Sequence, residues 1–199
     1  MCEMQELKPC PILVGERTVL RPVAVSDAED LFHHWSAIEI REPGAVEKPD
    51  DLMSVECGIE YFNSLNAAGY YYKWAIRDKV SNHFLGEIEL FPLKVQIKPW
   101  HEWSIGFSLE KKEWGKGLMT ESVQEVLDFA FTQMHVRRIK ADVVQNNERS
   151  KKLLAKFGFR YEGLQVDMVC LDGNYLDLLL LAVSANQYKE HTILQMYLS

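Results

Sequence analysis

Residues 112–121 read Lys-Glu-Trp-Gly-Lys-Gly-Leu-Met-Thr-Glu, and this stretch decides the fold because it places two glycines at the start of a helix. Residues 103–109 before it have the composition of a buried strand, and residues 117–134 repeat apolar side chains at helical spacing. The first amides of a helix are unpaired and carry partial positive charge, and glycine lets the backbone approach a bulky anion. The sequence therefore predicts a strand–turn–helix unit that can bind a phosphate or pyrophosphate.

Two nucleotide-binding motifs can be tested against this glycine turn. A P-loop needs Gly-Lys-Ser/Thr at its end, but Gly117 is followed by Leu118 and Met119. A dinucleotide-binding turn needs a third glycine where this chain has Thr120. Both motifs are excluded, and the bare Gly-x-Gly taken alone is also compatible with an ordinary turn.

The rest of the chain predicts one domain, residues 15–199, after a loose leader over residues 1–14. The predicted strands are 17–23, 71–77, 83–91, 103–109, 139–144, 159–169 and 175–183, and the predicted helices are one capped by Ser26, 51–68, 117–134, 150–157 and a tail from residue 185. Residues 41–50 are predicted to form a loop. Hairpins followed by strand–helix units indicate a mixed α/β sheet with helices on both faces.

Composition limits the class of protein. The chain has 199 residues, of which 47% are hydrophobic and 26% charged, and no apolar stretch approaches the length of a membrane helix. A net charge of −7 disfavours a nucleic-acid surface. Cys2, Cys10, Cys57 and Cys170 fit no zinc pattern, so free thiols and no metal are predicted. The first residues lack the apolar segment of a signal peptide, which predicts a cytoplasmic location.

Two motifs in the right order resemble the GNAT acetyltransferase superfamily. Lys112-x-x-Gly115-x-Gly117 is similar to its coenzyme A signature, Arg/Gln-x-x-Gly-x-Gly/Ala, with Lys at the first position. Asn147-Glu148-Arg149-Ser150, followed by Leu-Leu-Ala-Lys-Phe-Gly-Phe at 153–159, resembles the Asn-x-x-Ser helix of its ribosomal-protein N-acetyltransferase (Rim-type) branch. Residues 17–22 and 173–177 are similar to that branch's first strand and last hairpin, so the resemblance covers about residues 15–190.

The resemblance implies a mostly antiparallel sheet with one splayed strand pair and direct transfer of an acetyl group from acetyl-coenzyme A to an amine. The backbone of Phe107, Ser108 and Leu109 would pair with the pantetheine arm, and Asn147 would both cap its helix and contact that arm. The residues implied to hold the pyrophosphate are Trp114, Gly115, Lys116, Gly117, Leu118, Met119 and the hydroxyl of Thr120. For Trp114, surface packing on the helix is an equal alternative.

The resemblance also implies two catalytic side chains. The position of the family's helix tyrosine is Leu154 here, so Ser150 is expected to donate a hydrogen bond to the leaving thiolate instead. Glu89 shares a strand face with Glu87 and matches a glutamate of polyamine-acetylating relatives, which makes it the expected base. His101, Glu102 or a water chain are alternative bases, and a solvated strand face is the alternative interpretation of Glu87 and Glu89.

The expected acceptor is a primary amine, with a protein N-terminus or small amine metabolite ahead of a polyamine and an aminoglycoside-like compound. Loop 41–50 and Tyr70, Tyr71 and Tyr72 are candidate walls of its site, although ordinary strand packing also explains the three tyrosines. The missing helix tyrosine leaves open a catalytically weak acyl-coenzyme A-binding regulatory or sensor domain. An apolar tail suggests a homodimer contact through Ile193, Leu194, Met196, Tyr197 and Leu198.

Overall fold

The computed structural model describes residues 9–44, 47–92 and 102–198, and these residues form one mixed sheet packed between helices. The strands of this described part are β1 (Leu13–Val14), β2 (Thr18–Pro22), β3 (Tyr72–Asp78), β4 (Phe84–Pro92), β5 (Glu102–Leu109), β6 (Arg138–Val144), β7 (Arg160–Leu171) and β8 (Asn174–Ser184). Its α-helices are α1 (Ala28–Ser36), α2 (Ile38–Gly44), α3 (Leu52–Ala67), α4 (Leu118–Asp128), α5 (Glu148–Ala155) and α6 (Ala185–Leu198). A π-helical turn, Phe129–Gln133, extends α4.

The middle of the sheet opens where its parallel strands diverge. The strands lie in the order β1-β2-β3-β4-β5-β6-β8-β7, and β5 with β6 is the parallel pair among otherwise antiparallel neighbours in the described chain. These two strands pair from Glu102 with Arg138 to Ser104 with Lys140. Beyond that point β5 stays paired with β4 and β6 stays paired with β8, so β5 and β6 separate. The divergence leaves one edge of β5 facing a cleft.

Strand β3 shows why helices cover both faces of the sheet. Alternate residues of a strand point to opposite faces. Tyr72, Trp74 and Ile76 join the larger core on one face, and Ala75 joins a smaller core on the other. The helical residues of these cores include Val123, Val126 and Leu127 of α4 on one side, and Leu31 of α1 with Val55 and Ile59 of α3 on the other. The predicted fold, a mostly antiparallel mixed sheet with a splayed pair and helices on both faces, is confirmed.

Most predicted elements lie within two residues of their predicted limits, but the cap of α1 is wrong. Ser26 lies inside a 3₁₀ turn, Val25–Asp27, that precedes the helix. Asp27 occupies the cap position, yet its buried carboxylate accepts hydrogen bonds from the Arg21 guanidinium and from the Ala24 amide at 2.8 Å. A buried ion pair therefore determines how this helix begins.

The predicted loop 41–50 is also partly wrong, because α2 continues to Gly44. Ile40 is buried against the sheet, and Arg41 forms an ion pair at 3.2 Å with Asp172 in the turn between β7 and β8. These tertiary contacts hold a short helix whose Pro43 and Gly44 are typical of loops. Residues 45 and 46 lie outside the described residues.

The structure describes residues 9–14 of the predicted leader. Leu13 is buried and pairs with Leu20 of β2, and the carbonyl of Pro11 accepts a 2.7 Å hydrogen bond from the indole of Trp74. Residues 1–8 lie outside the described residues, and the leader itself stays a prediction. Across the described residues, we find no helix long and apolar enough to cross a membrane.

Candidate active site

A cavity of about 650 Å³ fills the cleft between the diverging ends of β5 and β6. Its walls come from β5, β6, the turn before α4 and the start of α5, and α2 lies along one side. The predicted donor-site residues that line it are Phe107, Ser108, Leu109, Trp114, Gly115, Gly117, Leu118, Met119, Thr120, Asn147 and Ser150. One cavity therefore brings together two motifs that lie about 30 residues apart in the sequence.

The glycine turn leaves the start of α4 open toward this cavity. Gly115 and Gly117 have φ angles of 75° and 81°, in the left-handed region that favours glycine. Glu121 donates the first helical hydrogen bond, to the carbonyl of Gly117 at 3.1 Å, so the amides of the preceding turn have no helical acceptor. A Cβ on Gly115 would meet no atom of the described residues within 4 Å, which leaves space for a bulky anion beside these amides.

Contacts between Arg17, which directly precedes β2, and Glu121 of α4 hold the glycine turn in place. One oxygen of Glu121 accepts hydrogen bonds from the amides of Arg17 (2.7 Å) and Thr18 (2.9 Å), and the guanidinium of Arg17 donates to the carbonyl of Lys116 at 2.9 Å. Partial burial opposes the charge of Glu121, but the Arg17 and Thr18 hydrogen bonds outweigh it and lower the pKa of Glu121. The side chain of Lys116 points away, to an ion pair with Glu113 at 3.0 Å.

Trp114 connects the two sides of the cavity mouth. Its indole N–H donates to the carbonyl of Leu109 at 2.8 Å, at the end of β5. The guanidinium of Arg149, on α5, lies 3.6 Å from the centre of its ring. Trp114 therefore packs as a structural aromatic and also lines the cavity, so its two predicted roles are compatible.

Helix α5 presents Ser150 at the cavity wall. Asn147 caps the helix, since its side-chain oxygen accepts the Ser150 amide at 3.1 Å. This capping role was predicted. Leu154, in the position of the family's tyrosine, is fully buried in the core one turn later. Ser150 thus offers a hydroxyl on the cavity side of this helix.

A buried ion cluster lies on the face of β4 that Trp35 of α1 contacts. The ammonium of Lys73 bridges Glu87 at 2.7 Å and Glu89 at 2.8 Å, and it lies over the rings of Trp35 and Phe62 at 5.2 and 5.1 Å. Burial alone would lower the pKa of Lys73, but the two carboxylates raise it. Burial would likewise raise the pKa of Glu87, but Lys73 reverses that effect and lowers it. Both glutamates are therefore paired with Lys73, and Glu87 is the more buried of the two.

Glu89 reaches across β5 toward the cleft. It pairs with Gly106 in the register, and a Cβ on Gly106 would lie 2.7 Å from the Oε1 atom of Glu89. Its Oε2 atom accepts hydrogen bonds from Lys73 and from the hydroxyl of Tyr71. The predicted base thus has one oxygen held by neighbours and one directed over Gly106.

The three tyrosines divide between packing and the site. Tyr72 is fully buried and stacks on Trp74 and Trp103, which is ordinary core packing. Tyr71 stacks on Phe62 and contacts Glu89, and burial with that carboxylate raises its pKa. Tyr71 therefore contacts the predicted base, whereas Tyr72 packs in the core.

Sequence reasoning missed His34, which lies on α1 behind the cavity wall. Its Nε2 atom is 2.7 Å from the hydroxyl oxygen of Ser108, and its ring packs edge-on against Phe84. Helical spacing gave it no special standing, because a buried histidine on an apolar face is usually core packing. Its partner is 74 residues away in the chain, so the sequence holds no local signal for the pair.

The rival bases lie elsewhere. Glu102, at the other end of β5 from Phe107, forms an ion pair with Arg138 at 2.8 Å. His101 lies outside the described residues. Within those residues, His83, Glu110 and Glu113 are close enough together to hold a metal ion, but the carboxylates of Glu110 and Glu113 already pair with Lys112 and Lys116.

Comparison with known proteins agrees with this geometry. Residues 17–160 match the family model described as Acetyltransferase (GNAT) domain. The chain belongs to the GNAT acetyltransferase family. It is 30% identical over 176 residues to the uncharacterized N-acetyltransferase p20 of Bacillus licheniformis, covering 88% of this chain and 97% of that protein. It is 36% identical over 84 residues to the [ribosomal protein uS5]-alanine N-acetyltransferase of Escherichia coli, covering 42% and 43%.

The acetyltransferase fold is shared with distant solved structures. Spermidine N-acetyltransferase from Vibrio cholerae, in complex with CoA and spermine, superposes with a TM-score of 0.75 at 18% identity, over 87% of this chain and 98% of that one. Family membership and fold together identify the chain as an enzyme that transfers an acetyl group to an amine.

Proposed function

We propose that the acetyl donor is acetyl-coenzyme A and that it lies in the cleft with its pyrophosphate on the first turn of α4. The observation that carries this proposal is the pair of left-handed glycines, Gly115 and Gly117, which leaves helical amides facing a cavity of about 650 Å³. The free edge of β5 from Phe107 to Leu109 supplies backbone groups for an extended amide-containing arm. The solved relative from Vibrio cholerae was crystallised with CoA, which supports the same donor class.

The reacting end of the donor lies beside Ser150 and the end of β5 in this proposal. A backbone amide of residues 107–109 stabilises the developing oxyanion, and the Ser150 hydroxyl donates a hydrogen bond to the leaving thiolate. Asn147 holds Ser150 at the helix start through the cap hydrogen bond. The other donor contacts in this proposal are the backbone amides of Trp114, Lys116, Leu118 and Met119 and the Thr120 hydroxyl.

We propose a protein N-terminus or a small monoamine as acceptor. A relative is named as an N-acetyltransferase that acts on an alanine of ribosomal protein uS5. Lys73 bridges Glu87 and Glu89, so its positive charge balances one of their two negative charges. The one negative charge that remains favours an acceptor with a single ammonium. Glu89 was predicted as the base. The contacts of its Oε2 atom favour a related role, in which the free Oε1 atom holds the acceptor ammonium over Gly106.

The test is an assay for free thiol release with acetyl-coenzyme A and a panel of amines. The panel pairs a short peptide with an N-terminal alanine against the same peptide with a blocked N-terminus, and adds spermidine. We expect thiol release with the free peptide and a mass increase of one acetyl group. Turnover of spermidine alone would contradict the proposed acceptor. Calorimetry that detects no binding of acetyl-coenzyme A would contradict the proposed donor.

Three further expectations belong to this proposal. A catalytically weak regulatory or sensor domain that binds acyl-coenzyme A is the second candidate, favoured by Leu154 in place of a tyrosine acid. The same assay separates it, because a sensor binds the donor and releases no thiol with any amine.

A cytoplasmic location is tested by cell fractionation. A homodimer through α6 rests on the exposed side chains of Ile193, Leu194 and Tyr197, and truncation of residues 190–199 followed by mass measurement in solution tests it.

A further inference from the structure

Ser108 and His34 form a hydroxyl–imidazole pair on the acceptor side of the cleft. Ser108 pairs with Glu87 in the register of β4 and β5, so its side chain points to the same face as Glu87 and Glu89. That face is the one against which α1 packs, and α1 places the Nε2 atom of His34 at 2.7 Å from the Ser108 hydroxyl oxygen. Ser108 lines the cavity, and His34 lies directly behind it.

The surroundings of His34 suit a neutral imidazole. The ring is buried, and its Nδ1 atom has no hydrogen-bond partner among the described residues. Burial lowers the pKa of His34, the nearby Glu87 and Glu110 carboxylates oppose that effect, and the Lys73 ammonium adds to it. With the ring proton on Nδ1, the Nε2 atom accepts a hydrogen bond from the Ser108 hydroxyl.

The Ser108–His34 pair lies next to Glu89, where the acceptor ammonium is proposed to bind. Gly106 and Ser108 are two residues apart on one face of β5, which places them about 7 Å apart along the strand. Glu89 lies over Gly106 and offers its Oε1 atom to an ammonium, and Ser108 is the next side chain on that face. An ammonium held by Glu89 would therefore lie next to Ser108, whose hydroxyl is already hydrogen-bonded to an imidazole.

We propose that Ser108 and His34 form the proton relay that activates the acceptor amine for acetyl transfer. This inference rests on the proposed function for the position of the donor. Ser108 is the catalytic group, because it meets the acceptor, and His34 acts through it. Glu89 binds the ammonium, and the relay removes its proton.

The step balances in protons and electrons. The acceptor ammonium gives one proton to the Ser108 oxygen while the Ser108 hydroxyl proton moves to Nε2 of His34. The amine nitrogen then forms a bond to the acyl carbon, and the carbon–sulfur bond breaks with its electron pair on sulfur. The second nitrogen proton neutralises the thiolate hydrogen-bonded to Ser150. The imidazolium of His34 returns its proton to solvent, so one proton is released for each ammonium acetylated.

The experiment compares pH–rate profiles of the wild type with His34→Gln, Ser108→Ala and His33→Asn. Gln can retain a hydrogen bond to Ser108 but cannot take up a proton at these pH values. His33 is the neighbouring, exposed histidine on α1 and serves as the matched control. Rates are measured with acetyl-coenzyme A and the peptide with an N-terminal alanine. Circular dichroism and calorimetric binding of acetyl-coenzyme A at each pH confirm that every variant is folded and binds the donor.

We expect an acid limb in the wild-type profile with a midpoint below the ordinary histidine value of about 6.5. His34→Gln and Ser108→Ala should each lower kcat by roughly 100-fold and abolish that limb, since general-base catalysis contributes about 10²–10⁴-fold. The double variant should be no slower than either single one. His33→Asn should keep both the rate and the limb. A limb that persists in His34→Gln, or a uniform loss of rate at every pH, would overturn the relay.

Slow hydrolysis of acetyl-coenzyme A by the enzyme tests the relay independently of the proposed acceptor. Water activated by the same relay needs no amine, so its hydrolysis should show the same acid limb and the same loss in both variants. If no amine in the panel is acetylated, the proposed acceptor fails while hydrolysis still decides the relay. Equal hydrolysis by wild type and His34→Gln would reject the relay whatever the acceptor.

Discussion

The carboxylate of Glu121 accepts a hydrogen bond from the backbone amide of Arg17 at 2.7 Å, and this contact joins the start of α4 to the start of β2. The same oxygen accepts the amide and the hydroxyl of Thr18, and the guanidinium of Arg17 reaches back to the carbonyl of Lys116. One side chain therefore holds the glycine turn against the start of β2. The donor site depends on this anchor although Glu121 itself lies behind the cavity wall.

Replacing Glu121 by Gln should lower both stability and donor affinity. Hydrogen bonds to a charged acceptor contribute about 1.5–3 kcal/mol each, so we expect a loss of roughly 2–3 kcal/mol in the free energy of unfolding. The pKa of Glu121 is lowered in the folded state, so its contribution is present above its ordinary pKa and is lost as pH falls through the folded value. Chemical denaturation at pH 7 and at low pH measures the effect, which should shrink in acid.

Glu125→Gln is the matched control one helical turn further along. Burial and the neighbouring Asp128 and Glu121 carboxylates raise the pKa of Glu125, so its charge is unfavourable in the folded state. Removing that charge should leave stability unchanged or slightly higher at pH 7 and should leave donor binding unaffected. Equal losses in the two variants would show that Glu121 has no special anchoring role.

Alanine at Gly115 or Gly117 should weaken donor binding through backbone strain. Both residues have left-handed φ angles, which cost a residue with a Cβ about 1–2 kcal/mol. Gly115→Ala meets no neighbour and should show the strain alone, whereas the Cβ of Gly117→Ala would lie 3.3 Å from Nη2 of Arg17 and disturb the anchor as well. We expect about a 10-fold loss of acetyl-coenzyme A affinity for Gly115→Ala and a larger loss for Gly117→Ala, measured by calorimetry.

Gly58→Ala provides the comparison for this pair. Gly58 lies inside α3, and among the described residues only Phe62 lies near its Cβ position, at 3.9 Å. The substitution should therefore raise the free energy of unfolding by about 0.5–1 kcal/mol. Its donor affinity should match that of the wild type. Weakened binding in Gly58→Ala would mean that the glycine-turn variants report a general effect of the substitution.

The donor side of the site could be predicted from the sequence because its geometry is local. The turn of Gly115 and Gly117 and the cap of Asn147 are set by residues within a few positions of each other, and short motifs carry that information. The splayed strand pair was implied by the family resemblance and not by the strand pattern itself. Local signals failed at α2, where the Pro43–Gly44 pair indicated a loop but contacts of Ile40 and Arg41 stabilise a helix.

The acceptor side could not be predicted in the same way. His34 and Ser108 are 74 residues apart, and they meet because α1 packs on a particular face of β5. The pairing of Lys73 with Glu89 likewise depends on the register of β3 and β4. A sequence shows that Glu87 and Glu89 share a face, but the neutralising lysine becomes visible only when the neighbouring strand is aligned.

Lys73→Met should destabilise the protein because it leaves two carboxylates without their cation. Removing one partner of a buried ion pair costs about 3–5 kcal/mol. The pKa of Glu87 is lowered in the wild type, so its contribution is lost as pH falls. Without Lys73 burial should raise that pKa, and the variant should become relatively more stable as pH falls. Urea unfolding at pH 7 and at low pH tests this reversal.

The triple variant Lys73→Met, Glu87→Gln, Glu89→Gln tests the cause of that loss. It removes the charges together and should recover most of the lost stability at pH 7, because no uncompensated charge remains. Its pH dependence should be flatter than that of Lys73→Met. A triple variant as unstable as the single one would indicate that packing of Lys73 between Trp35 and Phe62, and not charge, supports this region.

Ser150→Ala should lower turnover with little effect on folding. The hydroxyl is proposed to stabilise the leaving thiolate, whereas the cap hydrogen bond uses the Ser150 amide and survives the substitution. We expect a loss of about 10–100-fold in kcat with an unchanged dissociation constant for acetyl-coenzyme A. Ser64→Ala on α3, whose hydroxyl bonds the Tyr61 carbonyl, is the control and should keep full activity. An unchanged kcat in Ser150→Ala would reject the role of this hydroxyl.

Gly106→Ala should separate acceptor binding from donor binding. A Cβ at this position would lie 2.7 Å from Oε1 of Glu89, so the carboxylate must move away from the cleft. If Glu89 holds the acceptor ammonium, KM for the amine should rise about 10-fold while the dissociation constant of acetyl-coenzyme A stays the same. Gly163→Ala on β7, where the nearest atom is 3.7 Å away on Leu180, should change neither quantity. Because the added methyl group displaces one carboxylate and leaves the Ser108–His34 contact in place, an unchanged KM for the amine would show that Glu89 does not bind the acceptor.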